Sequence, residues 1–83
     1  MKVHLRFFAS LRERLGRGEM ELTLPEGATI AALWECLCAE NASLAEVGAS
    51  LSFALNREYV DRDAVLRDGD EVALIPPVSG GSR

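Results

Sequence analysis

The residues with the clearest chemical potential are two consecutive glycines close to the C-terminus, Gly80 and Gly81. A carboxylate on a terminal glycine has no side chain beside it, and a diglycine can pass through a slot that is too narrow for other dipeptides. Such a carboxylate could enter the ATP site of another enzyme, become an acyl adenylate, and then accept sulfur or an amine. Taken alone, the glycine pair also fits a frayed terminus or an artificial addition without any chemistry.

The residues before the diglycine predict a turn, a strand and a stiff spacer. Asp68-Gly69-Asp70 is a typical turn sequence, and an apolar strand follows from Val72 to Ile75. Pro76-Pro77 ends this strand, because proline has no N–H to donate to a neighbouring strand, and the pair favours an extended backbone. At ~3.3 Å per residue, residues 77–81 can reach on the order of 13 Å. We therefore predict a flexible C-terminal tail over residues 76–83.

The periodicity of the remaining residues predicts an α+β domain over residues 1–75. Apolar and polar residues alternate from Lys2, which is typical of a half-buried strand. Ile30, Leu33, Trp34 and Leu37 follow helical spacing, and this predicts a main helix that Thr29 caps and that runs to about Asn41. The further strands are predicted at residues 19–24, 51–56, 59–60 and 72–75. One helix packed across a sheet of four to five strands accounts for this order.

A short helix is predicted between the first two strands. Ser10-Leu11-Arg12-Glu13 matches a capping box, in which the serine hydroxyl and the glutamate carboxylate bind free N–H groups at a helix start. Gly16 then ends the helix. Phe8 lies just before this segment and interrupts the strand alternation, so the sequence leaves two roles open for it. It either covers a second small apolar cluster or is an exposed contact for a partner.

Composition and charge argue against several classes of function. Nine basic and thirteen acidic residues give a net charge of −4, which disfavours nucleic acid as a partner. No apolar run approaches the ~20 residues that cross a membrane, and the first residues do not form a signal peptide. We therefore expect a cytoplasmic protein that does not bind membranes.

The sequence does not predict a metal site. Cys36 and Cys38 are two residues apart on the predicted helix, so their side chains point to different sides and cannot chelate together. The acidic residues between 61 and 71 do not fit a calcium loop, because Val65 occupies a ligand position and the central glycine is missing. Turn formation, and complementarity to a basic partner, explain these acidic residues better.

Two segments resemble the small, sulfur-carrier subunit of molybdopterin synthase, a family with the ubiquitin-like β-grasp fold. The first comprises residues 7–9 and 11–13, and the second comprises residues 68–73 and 75–81. The chain length matches too, so the resemblance spans nearly the whole sequence. Members of this family end at the second glycine, whereas Ser82-Arg83 follows it here.

The resemblance implies a function in molybdenum cofactor biosynthesis. An E1-like adenylating enzyme would use Mg-ATP to adenylate Gly81, and sulfur from a sulfurtransferase would replace AMP to leave a thiocarboxylate. The large subunit of molybdopterin synthase would then receive the tail and pass this sulfur to a cyclic pterin precursor. The chain itself would bind no cofactor or metal and would supply no catalytic acid or base. Gly80 would give access to narrow active sites.

The resemblance also implies which residues bind these partners. Phe8, Tyr59 and Ile75 would lie near each other as a docking patch, and Pro76, Pro77, Val78 and Ser79 would supply the reach of the tail. With Ser82-Arg83 attached, the Gly81 carbonyl is an amide that ATP cannot activate. The two residues are therefore an artificial addition, or a peptidase removes them, or the chain is an untrimmed inactive form.

Two alternatives remain open at the level of the sequence. The chain could carry sulfur for thiamine synthesis or tRNA thiolation, or it could be a ubiquitin-like modifier that is joined to lysines through Gly81. Alternatively, it could be a β-grasp interaction module with an inert tail. The Pro76-Pro77-Val78 segment and the chain length favour the molybdopterin pathway.

Overall fold

Five strands and two α-helices form the regular structure of residues 1–77, which are the residues that the computed structural model describes. Two short 3₁₀ helices, Ala42–Glu46 and Gly48–Ser50, connect the second helix to the third strand. In chain order the elements are β1 (Lys2–Phe7), α1 (Ala9–Leu15), β2 (Glu19–Thr23), α2 (Ile30–Glu40), β3 (Ser52–Leu55), β4 (Glu58–Val60) and β5 (Glu71–Ile75).

The strands form one mixed sheet in the order β2-β1-β5-β3-β4. The first and last strands of the chain, β1 and β5, pair in parallel at its centre, whereas the other pairs are antiparallel. Parallel strands end at the same edge of a sheet. The chain therefore leaves β1 at Phe8 and leaves β5 at Pro76 on the same edge, which places the start of the predicted tail beside Phe8.

The core lies between the sheet and α2, as the sequence predicts. Ile30, Leu33, Trp34 and Leu37 are all buried, and the Thr29 hydroxyl oxygen accepts a hydrogen bond from the Ala32 N–H at 3.2 Å. This side-chain bond satisfies one of the free N–H groups at the helix start. The predicted cap and the predicted apolar face of the main helix are thus confirmed.

The capping box predicted for α1 is wrong. The helix begins at Ala9, and its N-cap residue is Phe8, so Ser10 already lies inside the first turn. The Phe8 carbonyl accepts hydrogen bonds from the N–H groups of Leu11 and Arg12 at 3.1 and 3.4 Å, and no side chain caps the helix. The predicted end is confirmed, since Gly16 adopts the left-handed conformation with φ of 76°.

The turn that precedes β5 ties both ends of the domain together. The Asp68 carboxylate accepts a hydrogen bond from the Lys2 N–H at 2.7 Å, and the Gly69 N–H donates to the Lys2 carbonyl, also at 2.7 Å. The Asp70 carboxylate accepts from the Asn56 side-chain amide at 3.0 Å and from the Arg67 N–H at 2.8 Å. These acidic residues therefore serve turn formation, as the sequence predicts.

Candidate functional site

The sheet has an outer face, opposite α2, on which the three predicted docking residues can be located. The register aligns Arg6, Ala73, Ala54 and Tyr59 in one row across β1, β5, β3 and β4. Phe7 is paired with Leu74, so Phe8 follows β1 at the level of Ile75. Phe8 and Ile75 are therefore neighbours at one edge, and Tyr59 lies diagonally across small side chains on β3 and β5.

The exposure of these residues differs. Tyr59 is 73% exposed and Phe8 is 40% exposed, which is unusual for large apolar side chains, whereas Ile75 is half-buried. Exposed apolar residues that share one face of a sheet are candidates for a binding surface on a soluble domain. The name docking patch is kept below for Phe8, Tyr59 and Ile75.

Small side chains separate the members of the docking patch. Ala54 belongs to the outer face, and it is only 5% exposed. Its cross-strand neighbours are Ala73 on β5 and Tyr59 on β4. Ala54 is thus a buried small residue between the larger members of the docking patch.

Arg6 is a member of the outer face whose part in the site the sequence did not indicate. Its guanidinium carbon lies 5.6 Å from the centre of the Phe8 ring, within the range of a cation–π contact. Its Nη1 atom is also 3.9 Å from a carboxylate oxygen of Glu71. These two contacts place a positive charge at the border of the docking patch.

The start of the predicted tail is only partly described by the structure. Pro76 is buried, so the first proline of the predicted tail packs with the domain, whereas Pro77 is exposed. The remaining predicted tail residues lie outside the described residues: Val78, Ser79, Gly80, Gly81 and Ser82-Arg83. The chain thus leaves the domain at the edge where Phe8 and Ile75 lie.

The cysteines and the histidine of the described residues are the side chains outside the tail that could take part in chemistry. Within residues 1–77, no three His, Cys, Asp or Glu side chains are grouped as a metal ion would require. Cys36 and Cys38 are free and half-buried, and burial raises the pKa of the Cys38 thiol although the nearby Arg62 guanidinium opposes this shift. A protonated thiol is a poor nucleophile. His4 Nε2 is 2.8 Å from a Glu19 carboxylate oxygen on the neighbouring strand.

A family model named ThiS family matches residues 5–81, which is nearly the whole chain. The chain belongs to the ThiS family. A curated relative, the molybdopterin synthase sulfur carrier subunit of Chlamydomonas reinhardtii, is 43% identical over 84 residues, which cover 98% of this chain and 100% of the relative. The family that the sequence resembled is thereby confirmed.

Solved structures of similar proteins confirm the ubiquitin-like β-grasp fold. SAMP1 of Haloferax volcanii has a TM-score of 0.87 at 26% identity, with 98% of this chain and 100% of that chain covered. A protein of Pyrococcus furiosus described as molybdopterin converting factor subunit 1 has a TM-score of 0.85 at 35% identity, with 94% and 99% covered.

A third structure contains a partner. It is a complex of subunits 1 and 2 of the molybdopterin-converting factor of Helicobacter pylori, and it matches with a TM-score of 0.71 at 28% identity, covering 98% of this chain and 100% of that chain.

In the described part of this ThiS family member, no helix is long and apolar enough to cross a membrane.

Proposed function

We propose that this ThiS family member is the sulfur carrier subunit of molybdopterin synthase. The observation that carries the proposal is that the family match extends over residues 5–81 and so includes the diglycine up to Gly81. The edge from which the tail leaves the domain also bears Phe8 and Ile75. One partner could therefore bind the domain and receive the tail at the same time.

The proposed chemistry takes place at the Gly81 carboxylate. An E1-like adenylating enzyme uses Mg-ATP to form the acyl adenylate, and pyrophosphate leaves. The persulfide of a sulfurtransferase then attacks the carbonyl carbon, and AMP leaves. A thiol cleaves the resulting acyl disulfide, forms a disulfide with the sulfurtransferase and leaves Gly81 with one carboxylate oxygen replaced by sulfur. The large subunit of molybdopterin synthase binds the tail and transfers the sulfur to a cyclic pterin precursor, and two such transfers, from two loaded carriers, form the dithiolene.

In this proposal the carrier contributes recognition and reach. The docking patch binds each partner in turn, and the residues from Pro76 to Ser79 supply the reach that the diglycine needs to enter a partner's active site. Gly80 admits the chain end to narrow active sites because it has no side chain. The partners supply the nucleotide site and all acid–base groups, and this chain binds no cofactor or metal.

The two residues after Gly81 require removal before the first step. With Ser82-Arg83 present, the Gly81 carbonyl is part of a peptide bond, and ATP activates a carboxylate only. We propose that a peptidase releases Ser82-Arg83 and so controls when the carrier can be loaded.

A protein modifier is the second candidate, because the similar structures include SAMP1, a small archaeal modifier protein. Both a modifier and a carrier are adenylated first. A lysine amine then attacks the adenylate of a modifier, whereas sulfur attacks the adenylate of a carrier. An isopeptide bond between Gly81 and a lysine of another protein would favour the modifier. A thiocarboxylate would favour the carrier.

Reconstitution with purified proteins tests the proposal. We expect a chain that ends at Gly81 to exchange one oxygen for sulfur in its intact mass when the adenylating enzyme, Mg-ATP and a sulfur source are present. A matched Gly81→Val variant should fold normally and stay unmodified, because a branched side chain cannot enter the narrow site. Sulfur loading of Gly81→Val at the normal rate would contradict the access argument, and an unsubstituted chain ending at Gly81 that stays unmodified would contradict the function.

A further inference from the structure

The charges of the chain are unevenly distributed along the sequence. Residues 1–18 contain five basic side chains and one acidic side chain, whereas residues 19–83 contain four basic and twelve acidic side chains. The net charge of −4 therefore conceals a positive N-terminal segment in an otherwise acidic protein. This segment forms β1, α1 and the loop that follows α1.

Two arginines of this segment share one shallow depression on the surface. Arg12 and Arg17 line it together with Ala9, Glu13, Gly16 and Gly18. The Arg12 side chain lies over Gly18, where an added β-carbon would be 3.3 Å from Arg12 Nε. The Gly18 carbonyl accepts a hydrogen bond from the Phe7 N–H at 2.9 Å, which fixes this loop against the end of β1.

The depression is continuous with the docking patch. Ala9 lines it and follows Phe8 directly in the chain, and the Arg12 N–H is bonded to the Phe8 carbonyl. On the other side, the Arg6 guanidinium lies against the Phe8 ring. Arg6, Arg12 and Arg17 therefore form a basic surface around the Phe8 end of the patch.

Arg12 and Arg17 form no ion pair with another residue of the described part of the chain. Both side chains are exposed, and among residues 1–77 neither lies within 4.0 Å of a carboxylate oxygen in an ion pair. Arg14 differs, because it donates to the Ser43 carbonyl at 3.2 Å and lies 3.9 Å from Glu46. Uncompensated guanidinium groups beside an apolar patch suit an acidic protein surface better than a neutral one.

We propose that Arg12 and Arg17, together with Arg6, dock an acidic surface of the large subunit of molybdopterin synthase. The inference rests on the proposed function, which supplies the identity of this partner. The rest of the carrier is acidic and repels the same surface, so the charge distribution orients the approaching partner towards the docking patch. Such steering acts mainly on the association rate and weakens as salt is added.

Charge reversal at the two exposed arginines tests the inference. Stopped-flow association of the full chain with the large subunit should be slowed about tenfold or more by the Arg12→Glu/Arg17→Glu double variant at low salt. The difference should shrink at high salt, because the Debye length falls from ~10 Å at 0.1 M to ~3 Å at 1 M. The dissociation rate should change much less.

A matched control carries the same change in net charge at another place. Arg57 and Arg67 are exposed and lie near the start of β5, at the end of the sheet opposite to Phe8. The Arg57→Glu/Arg67→Glu variant should associate at the wild-type rate. Equal slowing by both double variants, or no slowing by either, would overturn the inference.

Folding and function are checked on the same samples. If thermal melting shows that the double variant does not fold, the Arg17→Glu variant replaces it, since Arg17 makes no hydrogen bond through its side chain within residues 1–77. Sulfur loading of a chain that ends at Gly81 is measured in parallel. If this chain is loaded while association ignores the arginine charges, only the basic surface is overturned, whereas a chain ending at Gly81 that stays unloaded would overturn the carrier function itself.

Discussion

Replacing Phe8 with alanine is expected to weaken partner binding about 30-fold with little effect on the fold, as follows from its exposed area. Phe8 is 40% exposed. An aromatic side chain presents roughly 200 Å², which leaves about 80 Å² for a partner to cover. At ~25 cal/mol per Å² this area contributes ~2 kcal/mol to binding, and ~1.4 kcal/mol corresponds to a factor of ten in affinity.

The effect on folding should be smaller. The part of the ring that faces the domain has an Arg6 guanidinium 5.6 Å from its centre, and an exposed cation–π contact is worth about 0.5–1 kcal/mol. Calorimetric titration with the large synthase subunit measures the affinity, and thermal melting measures the stability. The two experiments separate a lost contact from a damaged domain.

Val65 provides a control for Phe8. It is 58% exposed, but it lies in a β-bridge with Thr29 at the start of α2, on the helix side of the sheet. We expect Val65→Ala to bind the large subunit with wild-type affinity. Wild-type binding by Phe8→Ala, or equal weakening by Val65→Ala, would refute the docking patch.

Three further predictions concern the packing, the backbone and the thiols. Gly48→Ala should lower the free energy of unfolding by about 1–3 kcal/mol, because the added β-carbon would be 2.6 Å from Trp34 Nε1. A denaturant titration measures this difference, and unchanged stability would show that the Trp34 ring can move. Arg57→Gly should raise the free energy of unfolding by about 0.5–1 kcal/mol, because Arg57 has a φ of 74° in the β3–β4 turn and the relief of ~1–2 kcal/mol of left-handed strain exceeds the entropic cost of glycine. A lower free energy of unfolding would contradict this. Because burial raises the pKa of the Cys38 thiol, alkylation of Cys38 should begin at higher pH in the folded chain than in urea. Peptide mass spectrometry can follow the alkylation, and identical pH profiles in the two states would argue against a pKa raised by burial.

The main elements of the fold could be predicted because their signals are local. The helical spacing of Ile30, Leu33, Trp34 and Leu37 and the cap at Thr29 describe α2 without any tertiary information. The alternation in β1 and β5 likewise places Val72 and Leu74 in the core, where both are fully buried.

Local sequence patterns could not predict the features that depend on tertiary contacts. Ser10-Leu11-Arg12-Glu13 has the composition of a capping box, but α1 begins at Ala9 because the Phe8 carbonyl closes the first turn. Ala54 is buried because of its partners on β4 and β5, and strand pairing cannot be deduced from the alternation of β3 alone.

Of the candidate site, the tail could be predicted from the sequence, whereas the arrangement of the docking patch could not. The diglycine and the prolines before it are visible in the sequence, as is the family resemblance that suggests their use. The adjacency of Phe8 and Ile75 depends on the parallel register of β1 and β5. The basic surface left a signal in the sequence, namely the excess of arginine before residue 19, which the net charge of the whole chain conceals.

The most direct test of the carrier function is the intact mass of this protein isolated from its native cells. The proposal predicts a fraction of the chain that ends at Gly81 and has one oxygen exchanged for sulfur, which would establish loading and the removal of Ser82-Arg83 together. A population that ends entirely at Arg83, without any modified fraction, would contradict the proposal and favour an interaction module with an inert tail.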